Sequence, residues 1–370
     1  MQPSASARRA ALSLLVLGGA LGCARAVVPP AGAPATAAAR ACTFTTPLLR
    51  GADPSIVRRD GFYYFVQSSG RAITVYKSDR LTDLARNGVR VWSAPDTGWN
   101  RGNVWAPELQ FVDGRWYIYY AAGRTNPGEF FTSQRSGVLE SATDDPQGAW
   151  TDRGQLYTGD EIATRANNRW AIDLTVARIG GRLYAFWSGW AKDAPNDKTE
   201  NQNLYGAPMS NPYTISGNRV RVSAPDAPWE DNPPSVGFDL QEGPEVIEHA
   251  GQTMLVYSTR ESWLPTYRLG LLRLTNPSAP LDPASWTKTG PIFTAADGVY
   301  GVGHNTFTTS PDGREDWLVY HAKTVEKPGW DDRVIRMQPF TWNADGTPNL
   351  GRPVAPGAPV RRPSGEPCGA

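Results

Sequence analysis

A short pattern repeats five times along the chain: a turn glycine is followed by a run rich in aromatic and β-branched residues. The five glycines lie 53 to 70 residues apart, and no long helical periodicity separates them. Asp-Gly and Gly-Gly pairs suit tight hairpin turns, because both central residues need positive φ. Five hairpins in units of this length predict an all-β, five-bladed β-propeller. The runs are DGFYYFVQSS, DGRWYIYYAAG, GGRLYAFWSGW, AGQTMLVYST and DGREDWLVYHA, with turn glycines Gly61, Gly114, Gly181, Gly251 and Gly313.

Polar or aromatic side chains recur eight or nine residues before each turn glycine, on the strand that leads into the hairpin. If this strand is the innermost of its blade, all of these side chains lie together at one end of the central axis. For any one of them, ordinary turn chemistry is the alternative explanation. Three carboxylates at matched positions instead indicate a functional pocket, because gathering like charges is costly. The five residues are Asp53, Trp105, Asp173, Glu242 and His304.

Carboxylates in one pocket are the groups that glycoside hydrolysis requires, since one protonates the leaving oxygen and another attacks or activates water. A third carboxylate can hold the pKa of the acid high. The chain has only three His, no His/Cys spacing that suits zinc, no GxSxG elbow and no phosphate loop. Its 37 Lys and Arg balance 36 Asp and Glu, which disfavours nucleic acid and favours a neutral ligand.

Six segments, in this order along the chain, resemble the blade motifs of glycoside hydrolase family 43. Together they extend over about residues 48–355. The resemblance implies a five-bladed propeller with its catalytic pocket at one end of the central axis. It also implies inverting enzymes that act on arabinose- and xylose-containing glycans. The segments are GADPSIV, VWAPELQFVDGRWYIYYAA, AIDLTVARIGGRLYAFWSG, EGPEVIEHAG, GHNTFTTSPDGREDWLVYHA and IRMQPFTWNADGTPN.

The resemblance also implies roles for the three carboxylates. Asp53 would be the general base that deprotonates the attacking water, and Glu242 would be the general acid. Asp173 would raise the pKa of the acid and orient it. Glu245 is the alternative acid, but side chains three apart in a regular strand point to opposite faces, and only Glu242 keeps the shared spacing. Glu108 is expected to be a structural hydrogen-bond acceptor.

Further pocket residues follow from the same resemblance. Trp105 would stack on the sugar or wall its pocket, and Arg336 would reach the sugar. His304 matches an axial histidine that often lies near a water-coordinated calcium or other cation, so a cation on the propeller axis is expected and no organic cofactor is. His321 is expected to be a packed histidine in the core.

The expected activity is release of terminal α-L-arabinofuranosyl units from arabinan- or arabinoxylan-type glycans. A β-D-xylosidase and an endo-arabinanase are the alternatives within the enzyme class, because loop shape decides between them. A non-catalytic, carbohydrate-binding propeller is the alternative from another class. The partner is a neutral pentose-containing glycan, and no protein partner is inferred.

The two ends of the chain predict export and a closed fold. Residues 1–26 have a positive Arg8-Arg9 region followed by a short apolar stretch, which is typical of a signal peptide. The sequence ALGC, which ends at Cys23, resembles a lipobox, so the protein is expected to be secreted or a cell-surface lipoprotein. Residues 27–41 form a Pro/Ala-rich linker, and 42–370 form the propeller with a Pro/Gly-rich tail. Cys42 and Cys368 can form a disulfide if the chain ends meet.

Overall fold

The computed structural model describes residues 42–193 and 200–368. Within these ranges the regular structure consists of β-strands and one 3-10 turn at Pro283–Ser285. None of the described segments forms a helix that is long and apolar enough to cross a membrane. The predicted signal peptide, the linker and Cys23 lie outside the described residues.

Two short strands, β1 (Thr43–Phe44) and β2 (Leu49–Arg50), precede five antiparallel blades. Blade 1 contains β3 (Ser55–Arg59), β4 (Phe62–Ser68), β5 (Ala72–Ser78) and β6 (Val89–Ser93). Blade 2 contains β7 (Gly102–Val112), β8 (Arg115–Gly123), β9 (Arg135–Ser141) and β10 (Trp150–Gln155). Blade 3 contains β11 (Ala171–Ile179), β12 (Arg182–Trp190), β13 (Gln202–Asn211), β14 (Thr214–Ile215) and β15 (Val220–Ser223).

The last two blades lead to the end of the chain. Blade 4 contains β16 (Gln241–His249), β17 (Gln252–Thr259), β18 (Arg268–Leu274) and β19 (Trp286–Phe293). Blade 5 contains β20 (Tyr300–Thr309), β21 (Asp316–Lys323) and β22 (Arg333–Trp342), which also pairs with β23 (Pro348–Asn349). Each innermost strand contacts that of the next blade, and β20 contacts β3, so the predicted ring of five blades is confirmed.

The N-terminal segment closes the ring. Strand β2 is the outermost strand of blade 5, where Leu49 pairs with Ile335 of β22. Nearby, β1 pairs with β24 (Val360–Arg361). A disulfide joins Cys42 to Cys368, with 4.4 Å between their Cα atoms. Both ends of the chain are therefore fastened to the same part of the ring.

The hydrophobic core is divided into one cluster for each pair of neighbouring blades. Each of these clusters contains three or four buried aromatic rings among its aliphatic side chains, because large flat side chains fill the wedge between two twisted sheets. Most of the aromatic residues are thus structural. Among the largest are Trp116, Trp187, Trp317, Tyr257 and Tyr320.

The innermost strands share an irregularity near the axis. Each blade has at least one residue there with φ between 39° and 54°. The pairing register of β7, β11, β16 and β20 shifts at the same level. Such bulges break the alternation of side chains and re-aim them, here toward the axis. The residues with positive φ include Asp53, Ala106, Asp173, Gly243 and His304.

Candidate active site

A cavity of about 600 Å³ opens at one end of the ring, and all five blades line it. The four bulged inner strands and the residues just before β3 bring into its wall all five residues that the matched spacing singled out. Three carboxylates, one tryptophan and one histidine therefore share one pocket. These are Asp53, Trp105, Asp173, Glu242 and His304.

Asp53 is surrounded by nitrogen atoms. Its Oδ1 lies 3.1 Å from His321 Nδ1, 3.3 Å from His304 Nδ1 and 3.5 Å from Arg333 Nη1. Burial alone would raise the pKa of Asp53, but the charges of His304 and Arg333 and the hydrogen bond with His321 hold it well below its ordinary value. Asp53 is therefore ionised at neutral pH, as a base that accepts a proton from water must be.

The surroundings of Glu242 act in the opposite direction and raise its pKa. Burial, followed by the negative charge of Glu261, raises its pKa to about 8. Tyr267 opposes this shift, because its hydroxyl donates a hydrogen bond of 2.9 Å to Glu242 Oε1. At neutral pH this carboxyl group keeps its proton, as a general acid must.

Asp173 connects the third blade to the strand that carries Glu242. Its Oδ2 accepts a 2.9 Å hydrogen bond from the backbone N–H of Gly243, which follows Glu242 directly. Burial raises the pKa of Asp173 to about 7, with His304 opposing and Glu242 adding to the shift. The family resemblance predicted that Asp173 raises the pKa of Glu242. The neighbouring charge with the largest effect on the pKa of Glu242 is instead that of Glu261.

Glu245 and Glu108 do not line this pocket. They line a second cavity of about 220 Å³ in the ring. Glu242 was preferred to Glu245 because side chains three apart in a regular strand point to opposite faces. That reason was wrong, because β16 has a bulge between these two residues. The bulge separates these two side chains by depth along the axis, so Glu242 alone faces the larger cavity.

Arg336, which was predicted to reach the sugar, does not line the pocket. Its side chain is buried on β22, where Nη2 donates to the carbonyl of Val354, and it is absent from the pocket wall. Arg333 on the same strand lines the pocket instead. Two arginines three positions apart on a strand face different sides of it, and the register of blade 5 turns Arg333 toward the axis.

Aromatic rings form part of the rim. Trp105 packs against Phe131, with 5.6 Å between ring centroids, and Phe131 lies 6.1 Å from Trp330. Phe130 and Trp330 are exposed at 49% and 43%, far more than the core rings. Phe131 follows β8 and Trp330 follows β21, so the contact joins loops from blades 2 and 5.

Sequence reasoning missed several residues that the ring brings into contact with the carboxylates. His321 was expected only as a core residue, and no pattern marked Tyr267, Glu261, Arg333 or Trp330. Each lies at a strand end or in a loop, away from the matched spacing. For Trp330 a signal existed, since it is a large apolar residue in a polar loop, KPGWDDR.

The sequence model of Glycosyl hydrolases family 43 matches residues 44–348. The chain belongs to this family. It is 39% identical over 348 residues to the extracellular exo-α-(1→5)-L-arabinofuranosidase of Streptomyces avermitilis, covering 89% of this chain and 68% of that protein. It is 37% identical to α-L-arabinofuranosidase 43 of Humicola insolens, covering 85% of this chain and 64% of that protein.

A solved structure agrees with these matches. The crystal structure of α-L-arabinofuranosidase from Lactobacillus brevis superimposes with a TM-score of 0.74 and 33% identity, covering 85% of this chain and 98% of that one. This chain is thus a family 43 glycoside hydrolase, although it spans less than two thirds of the Humicola insolens relative.

The family resemblance predicted a cation near His304. The residues that the structure describes contain no group of three or more His, Cys, Asp or Glu side chains arranged to hold a metal ion. His304 Nδ1 faces Asp53 at 3.3 Å. The described residues therefore do not fit a coordination shell made of protein side chains alone. The water-coordinated ion remains a prediction.

Proposed function

We propose that this family 43 enzyme is an exo-acting, inverting α-L-arabinofuranosidase. One observation carries the proposal: two carboxyl groups line the same pocket, and their surroundings move their pKa values in opposite directions. Such a split assigns the base to Asp53 and the acid to Glu242. The similarity to proteins named as arabinofuranosidases supports the choice of sugar.

The proposed reaction is a single displacement. Water attacks the anomeric carbon from the face opposite the leaving group while Asp53 takes its proton. The bond from that carbon to the glycosidic oxygen breaks, and Glu242 gives its proton to this oxygen. Asp173 holds the strand of the acid through Gly243. One C–O bond forms as another breaks, so the configuration at the anomeric carbon inverts.

The substrate we propose is a neutral glycan with terminal α-L-arabinofuranosyl units, α-(1→5)-linked or carried on an arabinoxylan. The formal net charge of the chain is +1, so the overall charge gives no strong attraction for an ionic substrate. Trp105 supplies a flat apolar face of the kind that sugars stack on.

The rim supports exo action. The contact between Phe131 and Trp330 joins blades 2 and 5, which are separated around the ring by blade 1. One side of the mouth is therefore walled by aromatic rings. A wall favours a pocket that admits a chain end over a cleft that admits the middle of a chain.

We propose that the protein is exported. Its predicted signal peptide agrees with relatives whose names describe them as extracellular. Lipidation at Cys23 would place it on the cell surface instead of in the medium, and membrane fractionation of a Cys23→Ser variant would distinguish the two.

Product analysis tests the function. Proton NMR during hydrolysis of 4-nitrophenyl α-L-arabinofuranoside should show the β-anomer of arabinose first, because the configuration inverts. First appearance of the α-anomer would contradict the mechanism. Faster turnover of 4-nitrophenyl β-D-xylopyranoside would contradict the proposed specificity.

Linear arabinan tests the exo mode. The wild-type enzyme should release arabinose alone. A Phe131→Ala, Trp330→Ala double variant should also release longer oligosaccharides, because the wall is gone. Phe62→Ala, which removes an exposed ring outside the pocket, is the matched control and should release arabinose alone. Oligosaccharides from the wild-type enzyme would contradict exo action.

A further inference from the structure

Tyr267 is held rigidly beside the proposed acid. It is fully buried just before β18, and its hydroxyl donates to Glu242 Oε1 at 2.9 Å. Its ring lies face to face with His321, with 5.4 Å between centroids and 8° between planes. On β20, a Cβ added at Gly303 would lie 2.2 Å from the tyrosine ring, so glycine is needed there. The ring is fixed by its neighbours, and so is the direction of its hydroxyl.

A second contact orients the hydroxyl proton. Ser258 Oγ accepts a hydrogen bond of 2.7 Å from the backbone N–H of His304. The serine hydroxyl is then free to donate toward Tyr267, and Ser258 lowers the pKa of the tyrosine hydroxyl, as a donor does. The proton of Tyr267 itself is donated to Glu242 Oε1.

We propose that Tyr267 is a positioning residue for the general acid: its hydroxyl occupies Glu242 Oε1, so the acidic proton is carried on Oε2. This inference rests on the proposed function, because it assumes that Glu242 protonates the leaving oxygen. A carboxylic acid has one hydroxyl oxygen and one carbonyl oxygen, and a donor at Oε1 selects that atom as the carbonyl.

The charged and titratable groups around Glu242 come from blades 1, 3, 4 and 5. Negative charges on Glu261, Asp53 and Asp173 disfavour its ionisation, while Arg333 and the Tyr267 hydroxyl favour it. His304 lines the same pocket. Among these groups, the tyrosine is the one whose hydrogen bond can be removed without changing a charge. It therefore gives a clean test.

The Tyr267→Phe variant removes the hydrogen bond and keeps the ring. A donated hydrogen bond stabilises the carboxylate, so its loss raises the pKa of Glu242. The acid must be protonated, so the alkaline limb of kcat against pH should move upward by roughly one unit. The acid also becomes weaker and loses its orientation. Turnover of an arabino-oligosaccharide should fall about tenfold, whereas 4-nitrophenyl α-L-arabinofuranoside, whose leaving group needs little protonation, should lose much less.

The matched control is Tyr257→Phe. Tyr257 is also fully buried and donates to a buried carboxylate, Glu230, at 2.8 Å, but it lies outside the pocket. Its replacement removes a comparable hydrogen bond and should move neither the alkaline limb nor the ratio of the two substrates. Equal behaviour of the two variants would overturn the proposal and leave a structural role for Tyr267.

Incorporation of 3-fluorotyrosine at position 267 keeps the shape of the side chain and so guards against a misfolded variant. Its more acidic hydroxyl donates a stronger hydrogen bond, and the alkaline limb should move downward, opposite to the shift in Tyr267→Phe. An unmoved limb would overturn the proposal. If the wild-type enzyme releases no arabinose from either substrate, the proposed function fails; if it does and the limb stays in place, the role of Tyr267 alone fails.

Discussion

The two cavities of the ring contain similar residues and differ in chemistry. In the larger cavity, Asp53 and Glu242 lie near Arg333 and the side chain of His304, and their pKa values move apart. In the smaller cavity, Glu108 and Glu245 have raised pKa values, with burial as the main cause for both and the charge of Glu245 adding to the shift of Glu108. Burial acts on all four groups, but only in the larger cavity does an arginine, Arg333, lie beside one of them.

The guanidinium of Arg333 beside one carboxylate makes the difference. Burial disfavours charge on any acid, so without such a neighbour the pKa values of both Glu108 and Glu245 are raised. Their remaining contacts are hydrogen bonds, such as the 3.0 Å bond from Thr306 Oγ1 to Glu245 Oε1. Arg333 stabilises one charge in the larger cavity, and there a carboxyl group with a lowered pKa, Asp53, lies in the same wall as one with a raised pKa, Glu242.

The largest predicted effect is a difference in kcat between variants of the larger cavity and variants of the smaller one. Asp53→Asn and Glu242→Gln should each lower kcat about 10²–10⁴-fold, because each removes one proton transfer. Glu108→Gln and Glu245→Gln should retain most of the activity. Steady-state kinetics on an arabino-oligosaccharide, with circular dichroism to check folding, measures this. Comparable losses of kcat in both pairs of variants would mean that the two cavities do not differ in their importance for catalysis.

A smaller effect is expected from Asp173→Asn. The amide retains an oxygen that accepts from Gly243 N–H but lacks the negative charge, so kcat should fall about 10–100-fold, in line with the loss of a charge-assisted hydrogen bond. Asp113→Asn, a carboxylate paired with Arg178 on the exposed surface, is the control and should behave as wild type. Wild-type kinetics for Asp173→Asn would contradict its role in holding the acid.

The alkaline limb of the pH profile sharpens the comparison further. Activity should fall as the pH rises through about 8, where Glu242 loses its proton. Glu261→Gln removes the largest nearby negative charge, so the pKa of Glu242 should fall and the limb should move downward by about half a unit to one unit. Glu245→Gln should leave the limb in place. An upward shift in Glu261→Gln would contradict the assigned cause.

The smallest effect concerns stability. Burial raises the pKa of Glu245 from an ordinary value of 4.5 to about 7, so the folded protein binds this proton more tightly than the unfolded chain. The stabilisation is complete below pH 4.5 and is lost as the pH rises through about 7. Glu245→Gln stays neutral, so its Tm relative to wild type should rise by a few degrees between pH 4 and pH 8.

Scanning calorimetry at several pH values provides the measurement. Glu248→Gln changes an exposed residue on the same strand and should show a constant difference from wild type. A constant difference for Glu245→Gln as well would mean that the smaller cavity does not hold a neutral acid.

The parts of the site that were predictable are those with a regular spacing. Asp53, Asp173 and Glu242 precede hairpin glycines at nearly equal distances, so their convergence follows once the blades form a ring. The mistaken prediction of Arg336 shows what spacing along the sequence does not determine. Which of two arginines on one strand faces the axis depends on how blade 5 is rotated, and Arg333 is not distinguished by local spacing.

Contacts between residues far apart in the sequence also had no signal. Tyr267 contacts Glu242, 25 residues away, and His321 contacts Asp53, 268 residues away. Tyr267 lies outside the repeated runs, and His321 lies inside one but away from the matched spacing. The bulges near the axis were equally hidden, because period-2 alternation assumes a regular strand and four of the five innermost strands, β7, β11, β16 and β20, depart from it at the site.

By itself, the sequence determined the all-β class, the number of blades and the end of the ring at which the carboxylates gather, because turn chemistry and strand alternation are local properties of the chain. Only the tertiary structure decided which buried carboxyl group is charged and which is neutral. A pKa depends on burial and on neighbouring charges. The neighbours of Asp53 are on blade 5 and reach it only when the ring closes, and those of Glu242 include Glu261 and Tyr267, which only the folding of blade 4 brings to it.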